Sequence, residues 1–101
     1  MIEYNNGTYD LYYTIKRCEL IEKALGKSIS AALIDNNAMM TIKDMRAFYG
    51  YGLKEEGGNY MPAAFGGDVL EHILKTDGYV TAVTMIQEAV SRDVPFLLPR
   101  A

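Results

Sequence analysis

With 101 residues, half of them hydrophobic and 23% charged, the chain has the composition of one globular domain with a modest core and is too apolar for a disordered segment. Its net charge of −3, with Lys16-Arg17 the one adjacent basic pair, gives no basis for the cationic face that a duplex-binding protein carries. No apolar run approaches the roughly 20 residues of a membrane span, and Met1-Ile2-Glu3-Tyr4 lacks the charged-then-apolar order of a signal peptide.

Taken in chain order, residues 1–7 end in the turn signal Asn5-Asn6-Gly7 and read as a short extended arm. The spacing of Leu11, Ile15, Cys18, Ile21 and Leu25 predicts a first helix from about Tyr9 to Leu25 with one buried stripe. Gly26 then stands where a helix end needs a left-handed residue. Ser28 can cap a short second helix, from Ile29 to about Asp35, and Asp35-Asn36-Asn37 reads as a loop. Thr41 followed by Asp44 resembles a capping box. The third helix runs on to about Glu56, with Ile42, Met45, Phe48, Tyr49 and Leu53 inward. Gly50 and Gly52 cost that helix about 1 kcal/mol each, which points to a bend or to another backbone coming close. Pro62 can open a helix, but Gly66-Gly67 interrupts it, so Asp68 is read as the cap of a fourth helix, Val69 to Thr76. After the turn Asp77-Gly78, a fifth helix runs from Tyr79 to Ser91 and buries Val83, Ile86 and Val90.

The expected fold is therefore a single all-α domain: a small bundle of four or five short helices over residues 8–92, the arm at 1–7, and an apolar tail at 93–101 bounded by Pro95 and Pro99. The expected core contains Ile15, Ile21, Leu25, Phe48, Leu53, Leu70, Ile73, Ile86 and Val90.

No chemistry is legible between these elements. Cys18, the one cysteine, cannot form an internal disulfide and sits in an apolar stripe, where a thiol is inert. His72, the one histidine, lacks the companion groups that a catalytic base requires. Gly50-Tyr51-Gly52 and Gly57-Gly58 do not match a phosphate loop. Glu19 and Lys23 read as a solvated pair one turn apart. The candidate contacts are instead apolar and aromatic: Tyr49 and Tyr51, Tyr60 and Met61 with Phe65, and the tail residues Phe96, Leu97 and Leu98. The tail either folds back over the core or docks elsewhere.

The run Thr14-Ile15-Lys16-Arg17 and Ile21-Glu22-Lys23-Ala24-Leu25-Gly26-Lys27-Ser28-Ile29, with a second helix at Thr41 to Leu53 and a final one at Tyr79 to Arg92, resembles the tail assembly chaperones of long-tailed phages and prophages of Gram-positive bacteria. The resemblance covers most of residues 12–92 and rests on packing and turn motifs. It implies a non-enzymatic protein of the host cytoplasm, absent from the mature virion, that self-associates. Such a protein binds the tape measure protein and keeps it soluble while tail tube subunits assemble. The tail tube protein would be recruited through a frameshift-extended product, of which a chain ending at Ala101 is the short form. No catalytic, cofactor-binding or metal-ligating residues carry over, and neither membrane nor nucleic acid is an expected partner. The other reading is a small helical regulatory or nucleic-acid adaptor protein of a phage or mobile element. A helix-turn-helix of that kind needs a basic recognition helix, and the third helix offers only Lys43, Arg46 and Lys54.

Overall fold

The first seven residues are not a free arm. In the computed structural model, which describes residues 1–34 and 40–98, Asn5 and Asn6 both take left-handed backbone angles (φ 47° and 65°). That is the geometry of a tight hairpin turn whose twist matches the flanking strands. It joins β1 (Ile2–Tyr4) to β2 (Gly7–Leu11) in an antiparallel pair with Tyr4 opposite Gly7. A third strand, β3 (Leu53–Glu55), pairs with β2 so that Leu11 faces Leu53, giving the sheet order β1-β2-β3. The all-α expectation is overturned by this sheet: the fold is mixed, mostly helical, with a small antiparallel sheet.

Two predicted helices are shorter for the same reason. Helix α1 (Ile15–Leu25) begins at Ile15, not near Tyr9, and its true N-cap is Thr14, whose hydroxyl accepts the Arg17 N–H at 3.1 Å. Leu11 fits a helical stripe with Ile15 and Cys18, but it also alternates with the buried Tyr9 as a strand does, and strand pairing wins. Helix α3 (Ile42–Gly52) stops before β3 instead of reaching Glu56. Leu53 turns to an extended conformation while its N–H still closes the helix on the Tyr49 carbonyl. Gly52 sits against the Tyr13 ring, where a side chain would collide.

Helix α2 (Ile29–Ile34) starts as expected, with Ser28 Oγ accepting the Ala31 N–H at 3.0 Å. The predicted loop Asp35-Asn36-Asn37 lies outside the described residues, as do Pro99 and Arg100 of the tail. Helix α4 (Ala63–Thr76) is longer than predicted: it starts after Pro62, runs through Gly66-Gly67 and leaves Asp68 exposed in its interior, not at its cap. Helix α5 spans Tyr79–Asp93, and a single 3-10 turn at Pro95–Leu97 follows it.

Helix α3 is the hub and touches α1, α4 and α5. Its crossing with α4 is set by two glycines. A Cβ on Gly66 would run into the Tyr49 carbonyl and fall 2.7 Å from the Gly50 Cα, so the two backbones meet directly. Of the two readings of Gly50, a bend or a close approach of another backbone, the close approach is the one present, and the apparent break at Gly66 is its counterpart. Around α3 the core gathers Leu11, Ile21, Met45, Phe48, Tyr49, Leu53, Leu70, Ile73, Ile86 and Val90. Leu25 is only partly buried against this core. Ile15 and Ile42, expected inside, are 58% and 55% exposed. Each directly follows a threonine N-cap, and the first helical position points away from the face that α1 and α3 bury.

Candidate functional site

The segment Glu22 to Ile29 builds a tight junction between three helices. Gly26 takes φ 73° and donates its N–H to the Glu22 carbonyl, closing α1. The Glu22 carboxylate reaches forward to accept the Ile29 N–H at 2.8 Å and so caps α2. Lys27 reaches across to Asp44, with Nζ 2.9 Å from the buried carboxylate. This corrects the expected capping box in part: Thr41 Oγ1 does accept the Asp44 N–H at 3.0 Å, but the Asp44 side chain serves Lys27. Ile29 is buried behind the turn. Glu22, Lys27 and Ser28 of this stretch thus fix the angles of α1, α2 and α3.

Those angles leave a groove where the end of α1, the outer face of α3 and the start of α4 converge. It has a volume of ≈ 350 Å³ and is lined by Leu25, Tyr51 and four alanines: Ala24, Ala47, Ala63 and Ala64. Its two charged lining residues, Lys43 and Arg46, are both cationic. The groove exists because α3 and α4 cross at glycines, which brings Ala63 against Gly50 with no bulk between them. Tyr51 is the one predicted contact residue that lies here; Leu25, expected in the core, lines the groove as well. A signal for the others existed in the alanines beside each apolar stripe, but a concavity between three helices has no local signature.

The other predicted contacts fall in three further places. Tyr49 is in the core, not on a surface: it is fully buried and its hydroxyl donates to the Ala82 carbonyl at 2.9 Å. Burial pushes its phenol well above the usual range. Tyr60, Met61 and Phe65 join the sheet to α4. Phe65 packs edge-on against Tyr4 and tilted against Tyr9, with ring centroids 5.6 and 5.2 Å apart, and the Met61 N–H extends pairing to the Leu53 carbonyl at 3.0 Å. In the tail, Leu97 and Leu98 are half-buried, and the Leu97 carbonyl accepts a hydrogen bond from Ser30 Oγ. The tail thus folds back on α2 and leaves Phe96 outward, 61% exposed.

A ladder of cations and rings closes the other side of the sheet. The Arg17 guanidinium lies 3.8 Å from the centre of the Tyr60 ring, Lys54 Nζ stands 5.8 Å from that ring and 5.4 Å from Tyr12, and Arg92 lies 4.8 Å from Tyr12. Arg92 grips Asp93 through two contacts of 2.7 Å and donates to the Leu11 carbonyl, while Asp93 accepts the Tyr13 N–H at 2.9 Å. The Arg92 hydrogen bonds hold the Asp93 carboxyl below the usual carboxylate range. Aromatic rings beside basic residues are the parts of a single-strand nucleic-acid platform, but here both rings are already engaged by the chain's own cations, which pins β2 and β3 to α1 and α5.

The remaining reactive side chains have ordinary surroundings. Cys18 is buried, and burial pushes its thiol up to about 11. His72 is exposed and stacks edge-on against Tyr4 at 5.2 Å, beside an open hollow formed by the β1–β2 hairpin. Among the described residues, no three His, Cys, Asp or Glu side chains converge to hold a metal ion, and no helix is long and apolar enough to cross a membrane. Compared with known proteins, the chain matches no family model, no curated protein and no solved structure.

Proposed function

We propose that this chain is a phage tail assembly chaperone, a non-enzymatic binding protein that holds the tape measure protein soluble in the host cytoplasm while tail tube subunits assemble. The observation that carries this reading is the open groove of Leu25, Tyr51 and four alanines between α1, α3 and α4. An apolar concavity on so small a domain is a candidate contact for a partner, and a helix laid in a groove is a recurrent way of filling one. The resemblance points the same way. Part of the sequence that carries it, Ile21 to Ile29, forms the junction at the α1 edge of the groove.

The outward Phe96 offers a second contact, for another copy of the chain or for a tail tube subunit recruited through an extended product. Co-expression with the tape measure protein encoded in the same genome tests the proposal. The soluble fraction of the tape measure protein should rise with this chain present, and the two should co-purify. A tape measure protein equally insoluble with and without it would refute the reading.

A further inference from the structure

The groove carries a charge opposite to that of the whole molecule. The chain is net −3, yet the charged residues lining the groove, Lys43 and Arg46, are both cationic and exposed. Arg46 meets Glu71 at 3.2 Å, but both side chains are about half exposed, and such a pair is weak enough for a partner's carboxylate to displace. Beneath these two residues the lining is almost all carbon. A volume of ≈ 350 Å³ lies at the low end for a small-molecule site, about 300–1,000 Å³. Such sites fix a ligand through convergent polar groups, and this lining provides a phenol at one end and two exposed cations instead. Small alanine walls with larger residues at the ends suit a row of bulky side chains from a helix packed closely against α3 and α4.

We infer that the groove docks an amphipathic helix of another protein whose apolar ridge is flanked by aspartate or glutamate. The inference rests on the protein-binding reading above and names the chemistry of the partner. The chain's own tail does not meet that description. Its exposed apolar residue, Phe96, is followed in the sequence by no aspartate or glutamate, and Asp93 before it is already engaged by Arg92, so a second copy's tail offers no free carboxylate to the cationic groove. Electrostatic matching of this kind selects among helices that share the same apolar ridge.

The test uses the full chain and two fluorescently labelled model helices with the same leucine ridge, one flanked by glutamates and one by lysines. Fluorescence anisotropy should show the glutamate-flanked helix binding at least about tenfold more tightly, with affinity falling as salt is raised. Ala64→Glu, at an exposed position on the groove wall, should abolish that binding. Lys43→Glu should weaken it and strengthen binding of the lysine-flanked helix. Circular dichroism confirms that both variants keep their fold. Equal binding of the two helices, binding of neither, or indifference to both substitutions would overturn the inference. So would a wild-type dimer that Ala64→Glu dissociates, because a second copy would then be the occupant.

The chaperone reading fails separately. If wild type keeps the tape measure protein soluble but the groove binds neither model helix, the groove inference falls and that reading must rest on another surface. If the groove binds the glutamate-flanked helix but wild type leaves the tape measure protein insoluble, the reverse holds.

Discussion

Gly66 and Gly67 are neighbours in α4, yet an added methyl group meets different surroundings at each. At Gly66 it would press into the Tyr49 carbonyl and the Gly50 Cα, both backbone atoms that cannot turn aside; at Gly67 the nearest atom is Arg46 Nη1 at 3.0 Å, the end of a flexible side chain. Alanine favours a helix interior by about 1 kcal/mol over glycine, so the two substitutions should separate. Gly66→Ala should destabilise by about 1–3 kcal/mol through forced displacement of the helices, while Gly67→Ala should be neutral or stabilising by up to about 1 kcal/mol. Urea denaturation of both variants checks this, and equal midpoints would show that the α3–α4 contact is looser than described. Sequence reading caught half of this crossing. The cost of Gly50 inside a helix pointed to a bend or a close approach, but Gly66-Gly67 read as a break, since a glycine pair looks the same in a loop and at a helix crossing.

Cys18 gives a second test at the same scale. A thiol pushed up to about 11 by burial is almost wholly protonated at pH 8 and shielded from solvent, so a thiol reagent should label it only as fast as the protein opens. Rapid labelling of the native chain would place the α1 stripe at the surface.

At the scale of elements, Asp93 ties the end of α5 to the start of α1. Its carboxyl is held below the ordinary value of 3.8 first by the Arg92 hydrogen bonds and also by the Tyr13 N–H, against the opposing effect of partial burial. Because the folded value lies below the unfolded one, the contribution to stability is full above the ordinary value and is lost as pH falls through the folded value. Asp93→Asn should therefore cost about 1–2 kcal/mol near neutral pH. The gap to wild type should close at pH values below about 4, where wild type loses the same contribution. Denaturation at neutral pH and at pH 3 measures both gaps; an unchanged gap would mean that the Asp93 charge is not what holds the junction. The sheet itself was not legible from local pattern. Strands of three and five residues carry too few alternations to outweigh a helical spacing that shares Leu11, and the partner that decides the matter, Leu53, is remote in sequence.

For the whole molecule, the tail separates stability from association. Val94 is buried and Leu97 and Leu98 are half-buried against the core, but Phe96 points out. Phe96→Ser should leave the melting temperature nearly unchanged, within the roughly 0.5 kcal/mol typical of surface changes, and should reduce any concentration-dependent self-association seen by light scattering. Leu97→Ala should instead lower stability, because it removes apolar contact with the core. If Phe96→Ser melts early and associates as before, the turn at Pro95–Leu97 is core cover only and carries no contact.

What the sequence determined by itself were the helices and several of their ends. Cys18 with Ile21, Met45 with Phe48, Leu70 with Ile73, and Val83, Ile86 and Val90 repeat with the helical period, and each is buried; Gly26, Ser28 and Thr41 mark helix ends by chemistry that acts within a few residues. What only the tertiary structure decided was everything that depends on a distant partner. The sheet needs Leu53 beside Leu11, the exposure of Ile15 and Ile42 needs the direction in which each helix enters the core, and the groove needs three helices tied at one corner by Lys27 and Asp44 and brought close at another by Gly50 and Gly66. Periodicity and capping are local interactions written in neighbouring residues, whereas strand pairing and concavity arise from packing between segments far apart in the chain, which no window of sequence contains.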